Sequence, residues 1–158
     1  MLLPYLDGER TPNLPAASGT LLGLRRDAMT PANLARAAVE GMLCGLADGL
    51  DALRAQGVEV YRVLLVGGAA QSRAVRAVAA QILDAPVAVP EPAEYAARGA
   101  ARQAAWALSG APDAPSWTLA VLPADPSAAG AGSAPFVHER YAEMRDAVHG
   151  RPAEVPPG

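Results

Sequence analysis

At 158 residues, 51% of them hydrophobic, the chain is long enough for one domain with its own core and too short for a second to be expected. A formal net charge of −3 excludes an electrostatic case for nucleic acid or an anionic membrane as partner, and aromatics at only 4% call for a core of Ala, Leu and Val. A single cysteine, Cys44, excludes an internal disulfide, and without a signal-peptide pattern the chain reads as cytoplasmic.

Pro4, Gly8, Pro12, Pro15, Gly19 and Gly23 break residues 1 to 28 into short apolar pieces. They predict a loop-rich entry of the kind found inside a longer protein. Thr30 is placed as an N-cap, Pro31 fits the first helical position and Gly57 a left-handed end, so a helix is predicted from about residue 31 to 56. Leu34, Ala38, Met42, Leu46, Leu50 and Leu53 recur along it at the spacing of a buried face. Gly41, Gly45 and Gly49 repeat every fourth residue. Each costs about 1 kcal/mol of helix propensity, so close approach of another backbone is expected there.

A strand is predicted from about Val60 to Val66, then a helix with Val75, Val78, Ala79, Ile82 and Leu83 on one face. Val87 to Val89 reads as a short strand, Pro90-Glu91-Pro92 as a rigid turn, and Ala93 to Ser109 as an Ala-rich helix. Strands alternating with helices predict an α/β fold with a parallel or mixed sheet flanked by helices and a right-handed crossover. The main lobe is expected to end near residue 110. Residues 111 to 135, rich in Ala, Pro, Gly and Ser, read as a low-complexity surface segment. Residues 136 to 150 read as a C-terminal helical tail with Val137, Tyr141, Met144 and Val148 inward and Glu139, Arg140, Glu143 and Arg145 outward. Residues 151 to 158 are expected to be disordered.

The stretch from Val63 to Ser72 carries the strongest functional signal. Its unbroken Val-Leu-Leu-Val run suits a strand buried on both faces, and Gly67 and Gly68 follow at once. Without a Cβ they let a ligand reach the backbone, while a helix starting beyond them offers unpaired N–H groups to polar or anionic atoms. Other reactive residue types have plainer readings. Asp48 and Asp51 fit a solvated helix face, Asp7 and Glu9 fit turn chemistry, and Cys44 fits packing among small residues. His138 and His149 lack the thiol or carboxylate cluster that would complete a metal site. No catalytic residue and no metal ligand is expected.

Four stretches taken together carry a resemblance. Pro4-Tyr-Leu-Asp-Gly-Glu-Arg-Thr-Pro12 is similar to a PYLxGERTP run, and Gly19-Thr-Leu-Leu-Gly-Leu24 followed by Asn33 to Glu40 fits a second signature. Arg62 to Ser72 looks like an adenosine motif, and Glu94 to Ala101 like a closing ExxALGAA helix. From residue 2 to about 109 the chain thus resembles the C-terminal, nucleotide-binding lobe of the FGGY carbohydrate kinases, most closely the xylulokinases. The resemblance implies an actin-like ATPase (ribonuclease H-like) lobe in which Gly67, Gly68, Ala69 and Ser72 hold adenosine, with Gln71 at the rim. It implies ATP or ADP as ligand, Mg²⁺ bound jointly with a missing lobe, and a bracing loop at Glu9, Arg10 and Thr11.

There are departures. Ala69 stands where a third glycine is common, and Ala17-Ser18 where Ala-Arg is expected, which removes a positive charge from that loop. The family's DxGT turn, its sugar site and its GDxQ segment with the catalytic aspartate have no counterpart in the sequence. The expectation is therefore a fragment that binds adenine nucleotide but does not itself phosphorylate a ketose such as D-xylulose, and that meets sugar only through the missing lobe. A homodimer is an open expectation. The alternative is a non-catalytic interaction module or truncated gene product. A dinucleotide-binding oxidoreductase ranks last because the G-x-G-x-x-G spacing is missing.

Overall fold

The computed structural model describes residues 1 to 122 and 134 to 150. β1 (Leu2–Leu3) pairs antiparallel with β2 (Thr20–Leu21) and closes the loop-rich entry on itself. α1 spans Pro31–Ala55, where Thr30 Oγ1 accepts from the N–H of Asn33 at 3.2 Å and Pro31 occupies the first turn. Gly57, at φ 81°, turns the chain out of the helix as expected. β3 (Val63–Leu64) runs parallel to β4 (Val87–Ala88), and α2 (Arg73–Ile82) is the crossover between them. The predicted strand of residues 60 to 66 contracts to this ladder, anchored by Val63 N–H to Pro86 O at 2.8 Å and Leu65 N–H to Ala88 O at 2.9 Å. α3 (Tyr95–Ser109) ends on the left-handed Gly110, and α4 (Pro135–His149) follows. A parallel pair flanked by helices is the layering that the order of elements predicts.

α1 packs against β1, α2 and α4. Leu3, Tyr5, Leu43, Cys44, Val78, Ala79 and Tyr141 form the centre of the core, and α2 buries the face predicted for it. The face that α1 buries differs from the predicted one. Gly41, Leu43, Cys44 and Ala47 lie inside, while Leu46 and Leu53 are 52% and 49% exposed and Leu34 and Met42 also face outward. Gly41 explains the rotation. The carbonyl oxygen of Leu2 sits where a Cβ would be, with its carbon 3.2 Å and Pro4 Cδ 3.3 Å from that position. Glycine alone lets β1 come so near. Gly45 has only the Tyr141 hydroxyl within reach, at 3.7 Å, and Gly49 has nothing within 4 Å. The fourfold glycine spacing therefore serves close approach at one position.

α4 is joined to the core rather than trailing from it. Val137 and Tyr141 are buried as predicted, but Val148 is exposed. Arg145, expected to face outward, donates from Nη1 to Asp48 Oδ2 at 2.7 Å, and Asp48, expected on a solvated face, also meets His138 Nε2 at 2.8 Å. Beneath this trio the Tyr141 hydroxyl donates to the Tyr5 hydroxyl at 2.9 Å, with the rings edge to face. These partners lie 90 to 136 positions apart in sequence, which is why no local pattern announces them.

Residues 111 to 122, within the predicted surface segment, form a strap. Arg98, Arg102 and Trp106 lie four apart on one face of α3 and donate to the carbonyls of Thr118, Pro115 and Ala111 at 3.0, 2.7 and 2.8 Å. The strap then bonds the segment that follows β4, with Leu122 N–H to Val89 O at 2.8 Å. The chain just beyond β4 thus pairs with the strap, whereas β3 has β4 as its one neighbour among the described residues. On that open edge Leu64 and Val66 are 37% and 54% exposed. Most of the rest of the surface segment and the predicted disordered tail lie outside the described residues. No helix among the described residues is long and apolar enough to cross a membrane.

Candidate functional site

The end of β3, the glycine turn after it and the turn after β4 enclose a cavity of about 490 Å³. Leu65, buried, and Val66 form one side. Gly67 adopts φ 95° and ψ 178°, a backbone state that side-chain-bearing residues rarely enter, and Gly68 opens a 3₁₀ turn over Gly68–Gln71. Among the described residues, chain neighbours aside, no atom stands within 4 Å of where a Cβ would project from either glycine. Their backbone therefore faces free space.

The opposite wall comes from Pro90, Pro92, Ala93, Glu94 and Tyr95. It is braced at two levels. The Tyr95 hydroxyl donates to the carbonyl of Glu91, and the Glu91 N–H donates to Ala120 O of the strap at 3.0 Å. Arg98 lies over the Tyr95 ring at 5.8 Å, behind the wall. The cavity thus has apolar sides and a few polar functions: the two glycine backbones, the Gln71 amide and the Glu94 carboxylate. Such a mixture suits a flat heterocycle with polar edges.

Gly67 and Gly68 line the cavity, and so does Gln71, expected at the rim. Ala69 and Ser72 stand outside that lining. The helix expected directly after the glycines begins only at Arg73, because the 3₁₀ turn intervenes, and Ser72 Oγ accepts from the N–H of Val75 at 3.5 Å as the cap of α2. Glu94 and Tyr95 are the contributors that motif reading leaves without a role. A physical signal for them exists: in parallel α/β sheets ligands sit beyond the carboxyl ends of adjacent strands, so the turn after β4 should face the turn after β3.

The remaining reactive groups have structural partners. Burial, reinforced by Asp48 and Glu40, pushes the Cys44 thiol up to about 12, which keeps it protonated and inert. Glu9 Oε1 accepts from the backbone N–H groups of Arg10 at 2.7 Å and Thr11 at 3.1 Å, so the bracing of this loop runs through the main chain. The two histidines diverge, His138 to Asp48 and His149 onto the Tyr5 ring at 5.6 Å. Among the described residues no group of three His, Cys, Asp or Glu side chains is placed to hold a metal ion.

Comparison with known proteins bears on the same segment. Residues 1–108 match the FGGY family of carbohydrate kinases, C-terminal domain. The xylulose kinase of Streptomyces coelicolor is 45% identical over 109 residues, covering 68% of this chain and 22% of that enzyme. That of Haemophilus influenzae is 38% identical over 106 residues, covering 67% of this chain and 22% of that enzyme. The crystal structure of xylulose kinase from Bifidobacterium adolescentis superposes with a TM-score of 0.76 and 45% identity, over 92% of this chain and 28% of its own. One from Brucella ovis superposes with a TM-score of 0.75 and 33% identity, over 94% and 31%. The chain spans less than a third of the length of each of these proteins.

Proposed function

Because the chain belongs to the FGGY family of carbohydrate kinases, through the C-terminal domain that residues 1–108 match, we propose that it is the nucleotide-holding part of a xylulose kinase-like enzyme. In that reading the enzyme transfers the γ-phosphoryl group of ATP to a hydroxyl of a ketose such as D-xylulose, in the cytoplasm. The observation that carries it is the glycine turn at the end of β3, whose open backbone faces a cavity of about 490 Å³. A planar base can lie against Gly67 and Gly68 where any side chain would obstruct it.

Phosphoryl transfer asks a protein chiefly for positioning and charge stabilisation. This chain supplies the first, by fixing the nucleoside between the two strand-end turns. Mg²⁺, when bound with the phosphates, screens their charge. Its protein ligands, the catalytic base and the sugar site belong in this reading to the part of the enzyme beyond this chain. The chain by itself then binds ADP and phosphorylates nothing. Calorimetric titration with ADP, AMP and NAD tests this. Adenine nucleotide binding that Gly68→Val abolishes is the expected result, and equal binding by the variant would count against the site.

A second reading, as an interaction module, draws on a specific observation. The open edge of β3 and the outward Leu46 and Leu53 of α1 are apolar and unpartnered among the described residues. These surfaces fit against the remainder of a kinase, in one polypeptide or in two. Mixing the chain with a separately expressed upstream lobe should restore sugar phosphorylation. Failure to associate would remove this reading.

A further inference from the structure

Among the described residues Glu94 is the one carboxylate lining the cavity, at the N-cap of α3 on the wall across from Gly67 and Gly68. Its carboxylate caps nothing: the side chain makes no hydrogen bond to the first turn of the helix and has no other partner among the described residues. Tyr95 differs, since its hydroxyl is committed to the Glu91 carbonyl. Among the described residues no arginine or histidine lines the cavity. A phosphate chain would meet a like charge there and no cation, so the lining suits the uncharged end of a nucleotide.

An ionised carboxylate accepts and never donates, and it presents two oxygens side by side. The matching partner on a nucleoside is the pair of hydroxyls on adjacent ribose carbons. An adenine amino group offers a single nitrogen, and the apolar Leu65, Val66 and Pro90 surfaces suit the base better than its sugar. Resting on the nucleotide reading above, we propose that Glu94 accepts hydrogen bonds from the ribose 2′- and 3′-hydroxyls and makes the site select ribonucleotides over deoxyribonucleotides.

The test is calorimetry on the full chain with ADP and with 2′-deoxy-ADP, repeated on Glu94→Ala. The Glu94 side chain is exposed and bonds nothing among the described residues, so the variant keeps its structure, which far-UV circular dichroism verifies. One charge-assisted hydrogen bond at a solvent-reached site is worth about tenfold, so 2′-deoxy-ADP should bind about tenfold more weakly than ADP. Glu94→Ala should weaken ADP and leave the two ligands within about twofold of each other. ADP binding without ribose discrimination, or discrimination that survives Glu94→Ala, overturns the role of Glu94 and leaves the nucleotide site standing. No binding of ADP at all overturns both.

Discussion

Two alanine substitutions within α1, at Gly41 and at Gly49, should move stability in opposite directions. In a helix interior Gly→Ala gains about 1 kcal/mol, because alanine gives up less backbone freedom on folding. At Gly49 nothing lies within 4 Å of the new methyl, so the gain is realised. At Gly41 the methyl meets backbone, the carbonyl of Leu2 with its carbon at 3.2 Å, which cannot step aside as a side chain would. β1 must then move off α1, and it carries Leu3, which is wholly buried, and leads into Tyr5. Overpacking of this kind costs about 1–3 kcal/mol, and against a rigid carbonyl the upper end applies. After the propensity gain, Gly41→Ala should lose about 1–2 kcal/mol net. Each kcal/mol corresponds to about 2–4 °C in Tm for a domain of this size. Urea melts followed by circular dichroism should separate the two variants by about 2–3 kcal/mol. Equal midpoints, or a Gly41→Ala protein at least as stable as the parent, would refute the assignment of Gly41 as the point of closest approach.

Other consequences are accessible with the same melts. The His138 ring pKa is raised, chiefly by its hydrogen bond to Asp48, with burial opposing and Asp51 at 3.9 Å and Arg145 also facing it. A raised pKa means that the protonated ring stabilises the fold below the unfolded value of about 6.5 and that this contribution is lost as pH rises through the folded value. The urea midpoint should therefore fall as pH rises from below about 6.5 through the raised folded value, and His138→Ala should flatten that fall. A variant with the parent's slope would assign it to another group. Ser72→Ala removes a cap whose 3.5 Å bond is long, so the loss should be near the low end, about 0.5 kcal/mol. A loss above about 2 kcal/mol would mean that Ser72 does more than cap α2.

Where local chemistry decides structure, the sequence is explicit. Thr30, Pro31 and Gly57 bound α1 by capping rules alone, and α2 has only one apolar face to bury. α1 defeats the same reasoning, because small and apolar residues surround it and its rotation is set by the Leu2 carbonyl at Gly41. A partner from another element has no local signature. The Asp48, His138 and Arg145 trio escapes notice for the same reason, and each member alone resembles a solvated surface charge. The site divides similarly. Gly67 and Gly68 are legible as a binding turn, while Glu94 and Tyr95 become part of it only through the parallel pairing of β3 with β4. The motif match extends this reach: the chain's membership in the FGGY family follows from stretches that span both walls.

In the proposed function adenine nucleotide lies between the turns that follow β3 and β4. The most direct measurement is the map of backbone amide chemical shifts as ADP is titrated into the chain. The largest shifts should fall at Gly67, Gly68, Gln71, Glu94 and Tyr95, two segments apart in sequence and joined by one cavity. Shifts confined to one of the two segments, or centred on the Asp7 to Arg10 loop, would contradict it.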